Sequence, residues 1–251
     1  NKNNILFGLI GLFAGLVISF IVTNALYTGA VRAGNAAGSG AVERAEGTGA
    51  ANEEEESSTT LSDEEIRAAI ARADARADDA AVQRNFGLAL YQYSKQTQET
   101  RYLPDIARFL KRAYDADPQD HDLTVSLASV YFDIGQSSDP ASFDEARRYY
   151  LKALETKPDD ASARARLGQT YYFGKPSDPK RAIVEYRKSL AADPRHEPAL
   201  QNLASALITT GNREEAQKRI DELQKLNPSN AALPNLRAQL AQSKNAAAPS
   251  P

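Results

Sequence analysis

Four phrases of the chain end alike: AYDADP at 113–118, ALETKP at 153–158, SLAADP at 189–194 and LQKLNP at 223–228. In each, a helix-forming apolar stretch runs into a proline. Proline lacks a backbone N–H and pushes the residue before it out of the α region, so each phrase reads as the C-terminus of a helix. The closing residues Pro118, Pro158, Pro194 and Pro228 stand 40, 36 and 34 residues apart. A helical phrase returning at roughly that interval is the mark of a repeat array rather than a single globular core.

Working outward, Ala146, Ala182 and Ala216 each lie twelve residues before their proline, with Tyr150, Tyr186 and Ile220 one turn later. A small residue followed by a bulky one at this spacing fits two helices that cross closely. The preceding helices carry Leu127-Ala128-Tyr131, Leu167-Gly168-Tyr171 and Leu203-Ala204-Leu207, and Gly135 and Gly211 stand where those helices should stop. The surplus residues of the two longer repeats fall between helices, in SSDPAS (137–142) and around Lys175-Pro176-Ser177. A more diverged repeat precedes them, with Phe86-Gly87-Leu90, Ile106 in place of the small residue, and Ala113.

This pattern resembles the tetratricopeptide repeat (TPR) family over residues 80–229, in four repeats. The resemblance implies an all-α fold, a right-handed superhelix of helix pairs whose first helices line a concave groove that binds proteins or peptides. Solenoids need polar caps. Residues 62–79 supply one, opened by the capping box Ser62-Asp63-Glu64-Glu65 and carrying an apolar face of Ile66, Ala69, Ile70, Ala73 and Ala77. Residues 230–244 supply the other through Leu233, Leu236 and Leu240, and 245–251 are a loose tail.

The N-terminus reads differently. Ile5 to Val22 is uncharged with only Ser19 polar, long enough to span the roughly 30 Å of bilayer hydrocarbon, so residues 1–27 are expected to be a transmembrane anchor. A signal-peptide core is usually shorter, ~7–15 residues. Lys2 and the α-amino group precede the run and Arg32 is the only nearby base after it, so the N-terminus is expected in the cytoplasm and the repeats on the extracytoplasmic (periplasmic) side of an inner membrane. Gly8, Gly11 and Gly15 form a small-residue stripe that would let two anchors pair as a homodimer. Residues 28–61, rich in Gly, Ala and Glu, read as a flexible linker with too little apolar surface to order.

Composition excludes several functions. The net charge of −3 gives no basic footprint for nucleic acid. No cysteine is present, and the two histidines, His121 and His196, fall at helix starts apart from any metal-ligand spacing. No phosphate loop, nucleophile elbow or HExxH occurs, so no enzyme, cofactor, metal or small-molecule substrate is expected.

By the TPR resemblance, the third and fourth repeats turn Ser162, Ala165, Arg166, Gln169 and Tyr172, then Pro198, Gln201, Asn202, Ser205 and Ile208, toward the groove. Tyr91, Phe132 and Tyr172 recur at one repeat position. Those rings either grip a peptide, with Arg84, Arg166, Gln169 and Gln201 adding polar contacts, or pack between repeats. The carboxylate clamp of chaperone-binding TPR domains is matched by Arg84 and Arg166, but Leu88, Ser126 and Ser162 stand at its other positions. The whole architecture resembles anchored TPR subunits of bacterial envelope assembly, among them those of c-type cytochrome biogenesis. A permanent subunit of a larger membrane complex is the alternative.

Overall fold

The computed structural model describes residues 61–246, and all their regular structure is helical. The expected anchor and most of the linker, up to residue 60, lie outside the described residues, as does the tail from 247. Among the described residues no helix is long and apolar enough to cross a membrane. In order come α1 (Asp63–Asp74), α2 (Ala80–Thr97), a short 3-10 turn (Thr100–Tyr102) and α3 (Leu103–Ala116). There follow α4 (His121–Ser137), α5 (Ser142–Thr156), α6 (Ala161–Phe173), α7 (Pro179–Ala192), α8 (Glu197–Thr209), α9 (Arg213–Leu226) and α10 (Leu233–Ala246). Helices α2/α3, α4/α5, α6/α7 and α8/α9 pack as pairs, and each pair stacks on the next.

Local chemistry sets the helix ends. Asp79, Asp120, Asp160, Asp178 and Asn212 accept the backbone N–H of Val82, Leu123, Ala163, Arg181 and Glu215, satisfying amides that have no partner within their helix. At the other ends Asp117, Lys157, Asp193 and Asn227 all adopt φ between −132° and −144° with ψ between 84° and 98°. Each precedes a repeat proline, whose ring forbids them the helical region.

Within pairs, the small residues stand at the crossings. Ala146, Ala182 and Ala216 are wholly buried, as are Tyr150 and Ile220. Gly168 is as demanding: a Cβ there would sit 2.5 Å from Cε1 of Tyr186 across the α6/α7 contact. Gly135 departs from expectation. It does not end its helix but lies inside α4, where a Cβ would approach the Phe143 ring to 2.9 Å. The long second repeat therefore stores part of its surplus as helix: α4 has 17 residues against 13 in α6 and 13 in α8. Gly211, at φ 80°, does make the α8–α9 turn, in a backbone region that L residues rarely adopt.

The core runs the length of the array in two clusters, and the Tyr171 ring touches both. Arg147 and Arg181 lie against that ring, with their guanidinium carbons 4.5 and 5.8 Å from its centroid. At the N-terminal end the capping box of Ser62 and Glu65 is formed, and Ile66, Ala69 and Ala73 are buried. Ala77 lies beyond the end of α1 and is exposed. Gln83 fastens this end: fully buried on α2, its amide donates to the carbonyls of Ala73 (2.8 Å) and Arg76 (2.9 Å), which also accept from the backbone amides of Arg76 and Asp79 at the end of α1. Arg108 and Arg112 of α3 both pair with Asp74. At the far end Leu233, Leu236 and Leu240 bury one face of α10, each contributing about 1.5–3 kcal/mol. Arg213 donates to the Leu240 carbonyl and to Ser243.

Candidate functional site: the face lined by the first helices

The first helices of the pairs, α2, α4, α6 and α8, neighbour one another along one side of the stack. Polar contacts cross from each to the next. Arg84 Nε donates to Asp120 at 3.1 Å, joining α2 to the cap of α4. The Tyr91 hydroxyl donates to Asp133 at 2.8 Å, and Lys95 reaches the same carboxylate at 3.2 Å. Burial, and after it the charge of Asp133, hold the Tyr91 hydroxyl far above the ordinary phenol range. Between α6 and α8, Tyr172 meets Thr209 at 2.8 Å and Ser205 at 3.4 Å.

Phe132 requires a correction. It is 2% exposed and does not line a groove. Its ring meets Phe143 and Phe173 edge to face, with centroids 5.3 and 6.4 Å away, and the Arg166 guanidinium covers it at 5.3 Å. Ile208 is likewise buried. The recurring aromatics thus share one role, joining neighbouring repeats through a hydroxyl at Tyr91 and Tyr172 and through ring packing at Phe132. Asp133, the acceptor that makes Tyr91 such a link, has no counterpart in the repeat pattern that would have marked it.

His121 has a similar task. Buried at the start of α4, its Nδ1 lies 3.0 Å from the Ala153 carbonyl and 3.0 Å from Thr156 Oγ1, while Nε2 lies 2.9 Å from Asp160. It thereby ties one pair to the cap of the next.

What these links leave open is a concavity of about 330 Å³ between α6 and α8. Ser162, Ala165, Arg166 and Gln169 form one wall, and Pro198, Asn202 and His196 the other. The i, i+3, i+4 and i+7 spacing on α6 brings its four residues onto one face. Gln201 is half-buried on α8 but does not line it; Asn202 does. His196 was unmarked as a groove residue because it precedes its helix as the N-cap; its Nε2 lies 3.1 Å from Ser162 Oγ across the floor. Arg166 is exposed and lines the opening, and among the described residues its one side-chain acceptor is Gln169 at a long 3.5 Å.

Residues 176–240 match the family model described as tetratricopeptide repeat. Solved structures align over most of the described chain. The fold is that of a TPR solenoid. YrrB, a TPR protein with an unusual peptide-binding site, has a TM-score of 0.54 at 19% identity, covering 70% of this chain and 84% of its own. MamA has a TM-score of 0.53 at 19% identity, covering 67% and 92%. MamA from Desulfovibrio magneticus RS-1 has a TM-score of 0.53 at 16% identity, covering 66% and 87%. No curated protein matches the chain by sequence. At such identities the likeness concerns the TPR fold alone, and the side chains of this groove are this chain's own.

Proposed function

We propose that the chain is a TPR scaffold that holds an extended peptide segment of a partner protein in the concavity between α6 and α8. The observation that carries this is Arg166: an exposed guanidinium, pre-oriented over Phe132, opening onto a cavity that Ser162 and Gln169 line beside it and Asn202 and His196 line opposite. Fixed amide and guanidinium donors beside small apolar surface suit main-chain carbonyls and short polar side chains, and pre-orientation lowers the entropy lost on binding. The peptide-binding site of YrrB, a protein of the same fold, supports this reading.

The finer part of the proposal rests on sequence. The run Ile5–Val22 would tether the scaffold to an inner membrane as a single-pass or paired anchor, with the repeats on the periplasmic side. A scaffold so placed serves envelope protein assembly, and the maturation of c-type cytochromes is one pathway that uses such parts. Selecting linear peptides on the full chain, then measuring their affinity for an Arg166→Ala/Gln169→Ala/Asn202→Ala variant, tests the groove. Loss of about 2 kcal/mol or more in binding, with the helical circular dichroism retained, is expected for residues central to a site. Selected peptides that bind the variant as tightly as the parent would refute it.

A further inference from the structure

A second cleft lies away from the concave face, between the C-terminal turns of α7 and α9. It has a volume of about 520 Å³, within the range of ligand sites. Its floor is apolar, made by Leu190, Leu200 and Leu226, and its rim is basic, with Arg195, Arg219 and Lys225. Leu200 lies two residues from both Pro198 and Asn202 on α8, about 200° around the helix, so the two cavities lie on opposite sides of that helix.

Charge in this cleft is unbalanced. Glu222 is the one carboxylate among the lining residues, and it is engaged by Arg219 Nη1 at 2.8 Å. Arg195 and Lys225 have no carboxylate within 4.0 Å among the described residues. Among the described residues Arg219 Nε is buried without an acceptor, and Glu222 is engaged through Nη1 alone. Basic rim residues are ordinary on a helical surface when carboxylates answer them, as Lys218 is answered by Glu214 and Arg187 by Glu215 nearby. Here three cations surround leucine side chains with one acid between them.

We propose that this cleft is a second docking site, for an acidic peptide segment that carries a leucine-sized apolar side chain. The apolar residue sits on Leu190, Leu200 and Leu226, where its burial drives binding; the flanking carboxylates pair with Arg195 and Lys225 and exclude neutral or basic segments. With the concave groove on the other side of α8, the scaffold could hold two segments at once, and their combined hold would exceed either alone.

The test uses the full chain in nanodiscs and short fluorescein-labelled peptides of Glu-Glu-Leu, Glu-Glu-Gly or Lys-Lys-Leu repeats, read by fluorescence anisotropy. Glu-Glu-Leu peptides are expected to bind, and the two controls to bind about tenfold more weakly or worse. Arg195→Glu and Lys225→Glu, both at exposed positions, should each weaken the Glu-Glu-Leu peptide about tenfold, with helical circular dichroism unchanged. Arg166→Ala should leave it unaffected. The proposal is overturned if the Glu-Glu-Leu peptide does not bind or the Glu-Glu-Gly peptide binds equally. It is overturned equally if the charge reversals have no effect, or if Arg166→Ala abolishes binding, which would assign the peptide to the concave groove.

Discussion

Replacing Gly168 by alanine isolates the contact that sets the position of α6, and with it Arg166 and Gln169. Two effects oppose. Alanine favours the helix over glycine by about 0.8–1.0 kcal/mol, so on propensity alone the change stabilises. The new Cβ, however, would lie 2.5 Å from Cε1 and 2.7 Å from Cδ1 of Tyr186. Carbon atoms rest at roughly 3.5–4.0 Å, so one side must yield by about 1 Å. Tyr186 is 1% exposed and belongs to the second core cluster, so the ring has no solvent to swing into. Overpacking of this kind costs about 1–3 kcal/mol, and the larger end applies where a rigid ring is the obstacle. The net expectation is destabilisation of about 1–2 kcal/mol. Urea unfolding of parent and variant, followed by circular dichroism, measures it. Adding Tyr186→Leu should recover part of the loss, a coupling that the four-way mutant cycle reads directly. A neutral or stabilising Gly168→Ala, or strict additivity with Tyr186→Leu, would refute the claim that this crossing is sterically fixed.

Two further outcomes follow from the links between repeats. Tyr91→Phe removes the hydroxyl that Asp133 accepts and should cost about 1 kcal/mol of stability while leaving peptides selected on the concave site bound as before; a loss of peptide binding with no loss of stability would return Tyr91 to the ligand site. The capping aspartates govern the acid response. At Asp79 the Val82 amide leads in holding the carboxyl low; at Asp120 and Asp160 burial is the largest effect and opposes the charge, but the Leu123 amide with Arg84, and the Ala163 amide with His121, together outweigh it. Each folded value lies below the unfolded one of about 3.9, so this stability is fully present above that pH and is lost as pH falls through the folded values. Replacing all three with serine, which caps without titrating, should flatten the fall in melting temperature between neutral and acid pH, and an unchanged slope would refute the assignment.

Much of the fold was legible in the sequence because its determinants are local or repeated. A proline excludes helix from the residue before it wherever it stands, and an aspartate two residues past Pro118 or Pro158 caps the next helix whatever lies around it. The alanines opposite tyrosine or isoleucine recur, so the helix-pair fold is implied three times over. Gly135 was misread because glycine serves both a helix end and a close crossing, and only the approach of Phe143 tells them apart. The groove was legible in part for a related reason. Repeat register places Ser162, Ala165, Arg166, Gln169, Pro198 and Asn202 on the open face, but it cannot say which neighbours take up their donors.

That allocation belongs to the tertiary structure. Tyr91, Phe132 and Tyr172 look alike in sequence, yet their roles depend on Asp133, Phe143 and Thr209, partners brought near only by stacking one pair on the next. The same stacking turned His121 into a buried link and His196 into a groove wall, and it surrounded three leucines with cations on the far side of α8. The sequence by itself determined that the chain is a repeat of helix pairs with one open face, because helix ends and crossings are short-range chemistry. Which side chains remain free to bind a partner was decided by packing between repeats, where the separation along the chain is a whole repeat and no local pattern records it.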